Sequence, residues 1–122
     1  MTTLIENARI IMNGRPVKLN LIIESGRIES VGRTKTNSFD EKIDAKNNFV
    51  LPGLVDGHAH LHDPNFTNRE DFTSGTAAGA AGGVTTVVEM ALSTPVDTSE
   101  RVRSKIIVGE EESLIDFSLH AG

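Results

Sequence analysis

LPGLVDGHAHLHDP, residues 51–64, divides a 122-residue sequence into halves of different texture and holds three of its four histidines. Residues 53–60 read as a short, buried-type strand in which apolar and small residues lead into His58 and His60. In a strand, residues two apart share a face, about 6–7 Å apart at Cα. Asp56, His58 and His60 then line one face. Two imidazoles at that spacing can converge on one divalent ion, at about 2.0–2.1 Å per Zn–N bond. Asp56 is placed to accept an imidazole N–H and orient the ring. His62 has the same parity, but Asp63-Pro64 follows at once. Backbone before a proline is restricted, so the strand is expected to end by 62. Two exposed histidines on an edge strand would give the same spacing. Position favours chemistry: the pair closes a buried-type strand, and parallel barrels carry their sites at the C-terminal ends of strands.

Downstream the texture is α/β. Residues 67–83, TNREDFTSGTAAGAAGG, read as a helix. Thr67 with Glu70 fits a capping box, or Asn68 caps with Asp71 in the first turn. The helix is rich in Gly and Ala, and each interior Gly costs up to about 1 kcal/mol against Ala. Close tertiary packing must offset that. No phosphate-loop pattern is present. VTTVVEM (84–90) is a β-branched strand, residues 97–112 a helix opened by Asp/Thr/Ser, and SLIDFSLH (113–120) another strand. The order β-α-β-α-β predicts a parallel sheet.

Upstream, residues 1–50 read as a small, mostly antiparallel sheet. Strands are expected at 3–11, 17–25 and 27–32, with a hairpin turn at Asn13-Gly14 and a polar loop over 33–42; residues 42–53 read as a short strand, a turn at Asn47-Asn48 and an extended exit.

Twelve basic against seventeen acidic residues give a formal charge of −5, which argues against nucleic acid as a partner. No basic amphipathic stretch points to a membrane surface, and no apolar run approaches the roughly 18 residues of a membrane span. There is no cysteine, so disulfides and thiolate metal sites are excluded, which fits a reducing cytoplasm. MTTLIENARI lacks the charged and apolar regions of a signal peptide. Without Trp or Tyr, any core is aliphatic.

VLPGLVDGHAHLHDP followed by EDFTSGTAAGAAGGVTTVVEM resembles the metal-dependent cyclic amidohydrolases: dihydroorotase, allantoinase and hydantoinase. The likeness runs over nearly the whole chain. It implies an α/β protein in which residues 1–51 are part of a small β-sandwich domain. Residues 52–122 would be the first βαβαβ of a (β/α)8 TIM barrel, incomplete here because such a barrel takes about 250 residues. The resemblance makes His58 and His60 metal ligands for one or two divalent ions, usually zinc, and Asp56 the acidic position that supports them. His62 matches the place where dihydroorotases carry an arginine for the substrate carboxylate, and an imidazole cannot offer that bidentate fork. Residues 89–97, EMALSTPVD, depart from both the dihydroorotase and the allantoinase loop, with Leu92 and Ser93 closer to the allantoinase form. His62, Ser93 and His120 are candidate substrate contacts. The implied reaction is metal-assisted hydrolysis of a cyclic amide C–N bond. A bridging carboxylated lysine, two mid-barrel histidines and a last-strand aspartate cannot be placed in the chain. Lys105 is expected to be exposed to solvent, and Glu70, Asp71 and Glu89 to cap or be solvated.

Two function classes follow. In the first, the residues are the N-terminal piece of a cytoplasmic amidohydrolase, inactive alone. Its partners would be a small cyclic amide, the remainder of the barrel or a partner chain, and in some assemblies a second copy as a homo-oligomer. In the second, the chain is a short non-catalytic module that pairs through an open sheet edge.

Overall fold

The structure, a computed structural model, describes residues 1–33, 38–92 and 95–122. The chain forms two compact units, Met1–Pro52 and Gly53–Gly122.

The first unit is a four-stranded sheet in the order β3-β2-β1-β4, from β1 (Thr2–Met12), β2 (Arg15–Glu24), β3 (Arg27–Gly32) and β4 (Glu41–Asp44). β1, β2 and β3 pair antiparallel, whereas β4 runs parallel to β1. Asn13 and Gly14 both take positive φ, +51° and +74°, the conformation that Asn-Gly adopts in a two-residue hairpin. Ser25 and Gly26 repeat it at the next hairpin. The later turn falls on Lys46 and Asn47, one residue before the expected Asn47-Asn48 pair, because these two residues take the positive φ and Asn48 N–H closes onto Ala45 O at 2.8 Å. β1 bulges between Ile5 and Ala8. Asn7, inside the bulge, donates its backbone N–H to Asn20 Oδ1 and its side-chain amide to Asp44 at 2.9 Å. That amide, with the Lys46 backbone N–H, holds the Asp44 carboxyl below its ordinary range.

The second unit alternates strand and helix: β5 (Leu54–Ala59), α1 (Phe72–Ala81), β6 (Val84–Met90), α2 (Ser99–Glu112) and β7 (Asp116–His120). The three strands form a parallel sheet in the order β5-β6-β7. Its core is Leu61, Phe72 and Val87, flanked by Ala59, Val108, Ile115, Phe117 and Leu119. On β6 and β7 the helices cover the face with Val87, Glu89, Phe117 and Leu119. The registers Thr86–Asp116, Val88–Ser118 and Met90–His120 therefore alternate onto the other face.

Small residues set the distance between helix and sheet. A Cβ on Gly75 would lie 2.4 Å from Leu61 Cδ2, and one on Gly109 would lie 2.5 Å from the Phe117 ring. The Gly/Ala-rich helix is thus stabilised by close approach rather than by intrinsic propensity.

Three expectations are corrected. Helix α1 starts at Phe72, not near 67, because Asp71 is the N-cap: its carboxylate accepts Ser74 N–H at 2.6 Å, and the Ser74 hydroxyl reaches back to Asp71 N–H. Glu70 joins this cap through Asp71 N–H and the Ser74 hydroxyl. Second, β5 is not a buried strand: Leu54 and Val55 are 57% and 66% exposed, since β5 is an edge of the three-stranded sheet. Third, Lys105 and Glu89 are not solvated; they are 3% and 1% exposed.

Candidate functional site

His58 lies in β5, and His60 just beyond its last residue, Ala59. Their ring centroids are 5.1 Å apart and nearly perpendicular, at 87°. His62 continues the row, its ring 6.5 Å from that of His60 and tilted by 32°. Its backbone N–H donates to Glu70 O at 3.2 Å. The histidines proposed from the sequence as ligands and substrate contact therefore form one cluster at the C-terminal end of a parallel strand.

His60 has a defined chemistry. Its Nδ1 lies 2.7 Å from Met90 O, at the end of β6. A carbonyl oxygen can only accept, so Nδ1 carries the proton and Nε2 of the neutral ring keeps its lone pair. Metal-binding histidines use this arrangement, with the second nitrogen tied to a backbone carbonyl. Met90 also pairs in register with His120, which ends β7 two strands from β5 and is exposed. Ser93 lies outside the described residues. Among those residues, no group of three or more His, Cys, Asp or Glu side chains could enclose a metal ion.

The common face expected for Asp56, His58 and His60 is interrupted. Asp56 pairs with Val87 and Ala59 with Glu89, so three steps along β5 match two along β6. The bulge places Asp56 opposite a helix-side residue, and its Oδ1 accepts the backbone N–H of His58 at 3.0 Å. Asp56 braces the turn of chain that carries His58. Bulges of this kind re-aim side chains beside sites.

Beneath the histidine row lies a buried polar network that the sequence reading missed. Lys105 Nζ donates to Glu89 Oε1 at 2.9 Å, Leu61 O at 2.9 Å and Asp63 O at 3.0 Å. The same Glu89 oxygen accepts Leu61 N–H, while Oε2 is buried without a partner. Asp63 is also buried, and its carboxylate accepts Phe72 N–H at 2.6 Å, at the start of α1. The signal was periodicity. Glu89 has the inward parity of Val87 in a β-branched strand, and Lys105 falls on the Val102, Ile106, Gly109 stripe of α2.

Comparison with known proteins agrees with this architecture. The family model described as dihydro-orotase-like matches residues 47–113. Dihydroorotase from Methanothermobacter thermautotrophicus is 40% identical over 119 residues, covering 97% of this chain and 27% of that protein. Dihydroorotase from Lactiplantibacillus plantarum is 39% identical over 125 residues, covering 99% and 29% respectively. Among solved structures, L-hydantoinase (dihydropyrimidinase) from Arthrobacter aurescens superposes with a TM-score of 0.86 at 26% identity, covering 98% of this chain and 27% of that one. The chain thus spans about a quarter of the length of the relatives it matches. It belongs to the dihydro-orotase-like family of the cyclic amidohydrolases.

Proposed function

We propose that these residues are the N-terminal quarter of a metal-dependent hydrolase that opens a cyclic amide at its C–N bond. In this reading residues 1–51 contribute to a small β-sandwich and residues 52–122 open a (β/α)8 barrel, with the rest of the barrel supplied by further chain. The observation that carries it is the His60 ring, protonated at Nδ1 by its contact with Met90 O and so presenting Nε2 beside His58. The donor set fits a divalent ion: two imidazoles from one strand end, one with its tautomer fixed. His58 and His60 would hold the ion; imidazole donors suit zinc among other divalent transition metals, and the family resemblance favours zinc. A bound ion would polarise the ring carbonyl and acidify water for attack near neutral pH.

The other residues of the chain have supporting parts. Met90 O keeps the His60 proton on Nδ1. Asp56 fixes the backbone of His58. His62 and His120 stand at the same end of the sheet, where they would contact the ring of the substrate, with Ser93 a further contact. His62 in the place of an arginine fits an uncharged cyclic amide better than one bearing a carboxylate. The reading implies a cytoplasmic enzyme whose partners are this small substrate and, as a homo-oligomer, its own copies. No described helix is long and apolar enough to cross a membrane.

The test is turnover of hydantoin, allantoin and dihydroorotate by the full-length zinc-loaded protein, with His58→Ala and His60→Ala beside it. Hydrolysis of one of the three, lost in both variants, is expected. Full activity in either variant would overturn the assignment. A second reading, a module that pairs through its open edge, draws on the exposure of β5. It predicts association of the 122-residue chain through that strand.

A further inference from the structure

The proposed metal site leaves unused the two most deeply buried charged side chains among the described residues, Glu89 and Lys105. Their pairing has little to recommend it as a source of stability, since apolar groups of equal volume often serve as well or better. Its geometry is more telling. β5 ends at Ala59, so residues 60–63 lie beyond its strand ladder. The Lys105 ammonium has three donors and three acceptors: Leu61 O and Asp63 O, which bracket His62, and Glu89 Oε1. The same Glu89 oxygen takes Leu61 N–H, immediately after His60.

We propose that Lys105 and Glu89 are positioning residues that clamp the histidine loop to α2 and β6, holding His60 in the orientation that binds metal and fixing the backbone on either side of His62. Met90, whose carbonyl holds His60, follows Glu89 directly in β6, so both ends of the clamp act on one ring. An apolar pair would fill the same space without specifying the path of the loop. The consequence for metal rests on the proposed function; the clamp itself does not.

The experiment uses full-length protein. Lys105→Met alone leaves a buried carboxylate without its partner and is expected to unfold readily. The double variant Glu89→Gln with Lys105→Met removes both charges, keeps volume and keeps an acceptor for Leu61 N–H. It is expected to melt cooperatively yet bind zinc about 10–100-fold more weakly in a chelator competition. In the zinc-free protein it is expected to lose the slowly exchanging Nδ1–H proton resonance of His60. A folded double variant with unchanged zinc affinity and an unchanged His60 resonance would overturn the proposal. If the parent protein fails to bind zinc, the proposed function falls, and the His60 resonance alone decides the clamp: loss in the double variant supports it, persistence refutes it. If the double variant does not fold, amide exchange in the unmutated protein decides. A Leu61 N–H as protected as the amides of β6 supports the clamp, and its exchange at open-loop rates refutes it.

Discussion

Three glycines in equivalent chemical settings are predicted to respond to the same substitution with different signs. In an open helix, Gly→Ala stabilises by about 0.5–1 kcal/mol, because alanine has less backbone freedom to lose. At Gly79 that gain should be realised: the new Cβ would meet Val84 at 3.5 Å and Ile115 at 3.6 Å, ordinary contact distances. At Gly109 it would lie 2.5, 2.6 and 2.9 Å from three carbons of the Phe117 ring. That ring is wedged edge-on against Phe72, centroids 5.3 Å apart, and Phe72 is fully buried. Phe117 cannot move without disturbing the core, so overpacking of about 1–3 kcal/mol is expected, enough to cancel or exceed the helix gain. Gly75 is intermediate: its obstacle, Leu61 Cδ2 at 2.4 Å, is the tip of a rotatable side chain, though Leu61 is itself buried. Gly79→Ala and Gly109→Ala should therefore differ by about 1–3 kcal/mol, the first above the parent and the second at or below it. Urea denaturation followed by circular dichroism measures this. Equal midpoints for the two variants would refute the claim that glycine sets the helix–sheet spacing through Phe117.

Other outcomes follow from the site and the caps. His60→Ala should weaken zinc binding more than His62→Ala, measured by chelator competition, because His60 is a proposed ligand whose ring tautomer is fixed by the Met90 carbonyl, whereas His62 is proposed to contact substrate. The Ser74 hydroxyl and backbone N–H hold the Asp71 carboxyl below its ordinary value of about 3.8. A depressed folded-state pKa contributes stability above the unfolded value and loses it as pH falls through the folded one. Asp71→Asn should therefore flatten the acid limb of the stability curve below about pH 5, read from thermal midpoints against pH. The 122 residues alone should show no turnover of cyclic amides, and in light scattering they should associate rather than remain monomeric, since β5 exposes its edge.

Much of the architecture was legible because local chemistry and tertiary structure agree. Asn13-Gly14 demands two positive φ values and receives them. The β-branched run 84–90 and the capped segment 97–112 stand where β6 and α2 stand. The H-x-H spacing put two imidazoles together, and they are 5.1 Å apart. What escaped depends on contacts that no local pattern encodes. The start of α1 hinged on which of several acidic and hydroxyl residues would cap it. Asp71 does so with Glu70 sharing the Ser74 hydroxyl, an arrangement that requires the chain to turn over 67–70 first. The phase shift in β5 comes from a bulge fixed against β6, invisible in a sequence that alternates cleanly through Asp56, His58 and His60.

Lys105 and Glu89 are the most instructive failure. A lysine and a glutamate separated by sixteen positions look like solvated surface, because charged residues are seldom fully buried unless paired. Each nevertheless sits at an apolar position of its own element: Glu89 in phase with Val87, Lys105 in phase with Val102 and Gly109. Two violations of the burial pattern on adjacent elements, opposite in sign, are better explained by one another than by two separate exceptions. Their third partner is the loop that leaves β5, whose carbonyls at Leu61 and Asp63 lie outside the strand ladder and need donors. A polar pair in the apolar layer of an α/β unit is therefore evidence about the loop it serves, and here that loop carries the histidines.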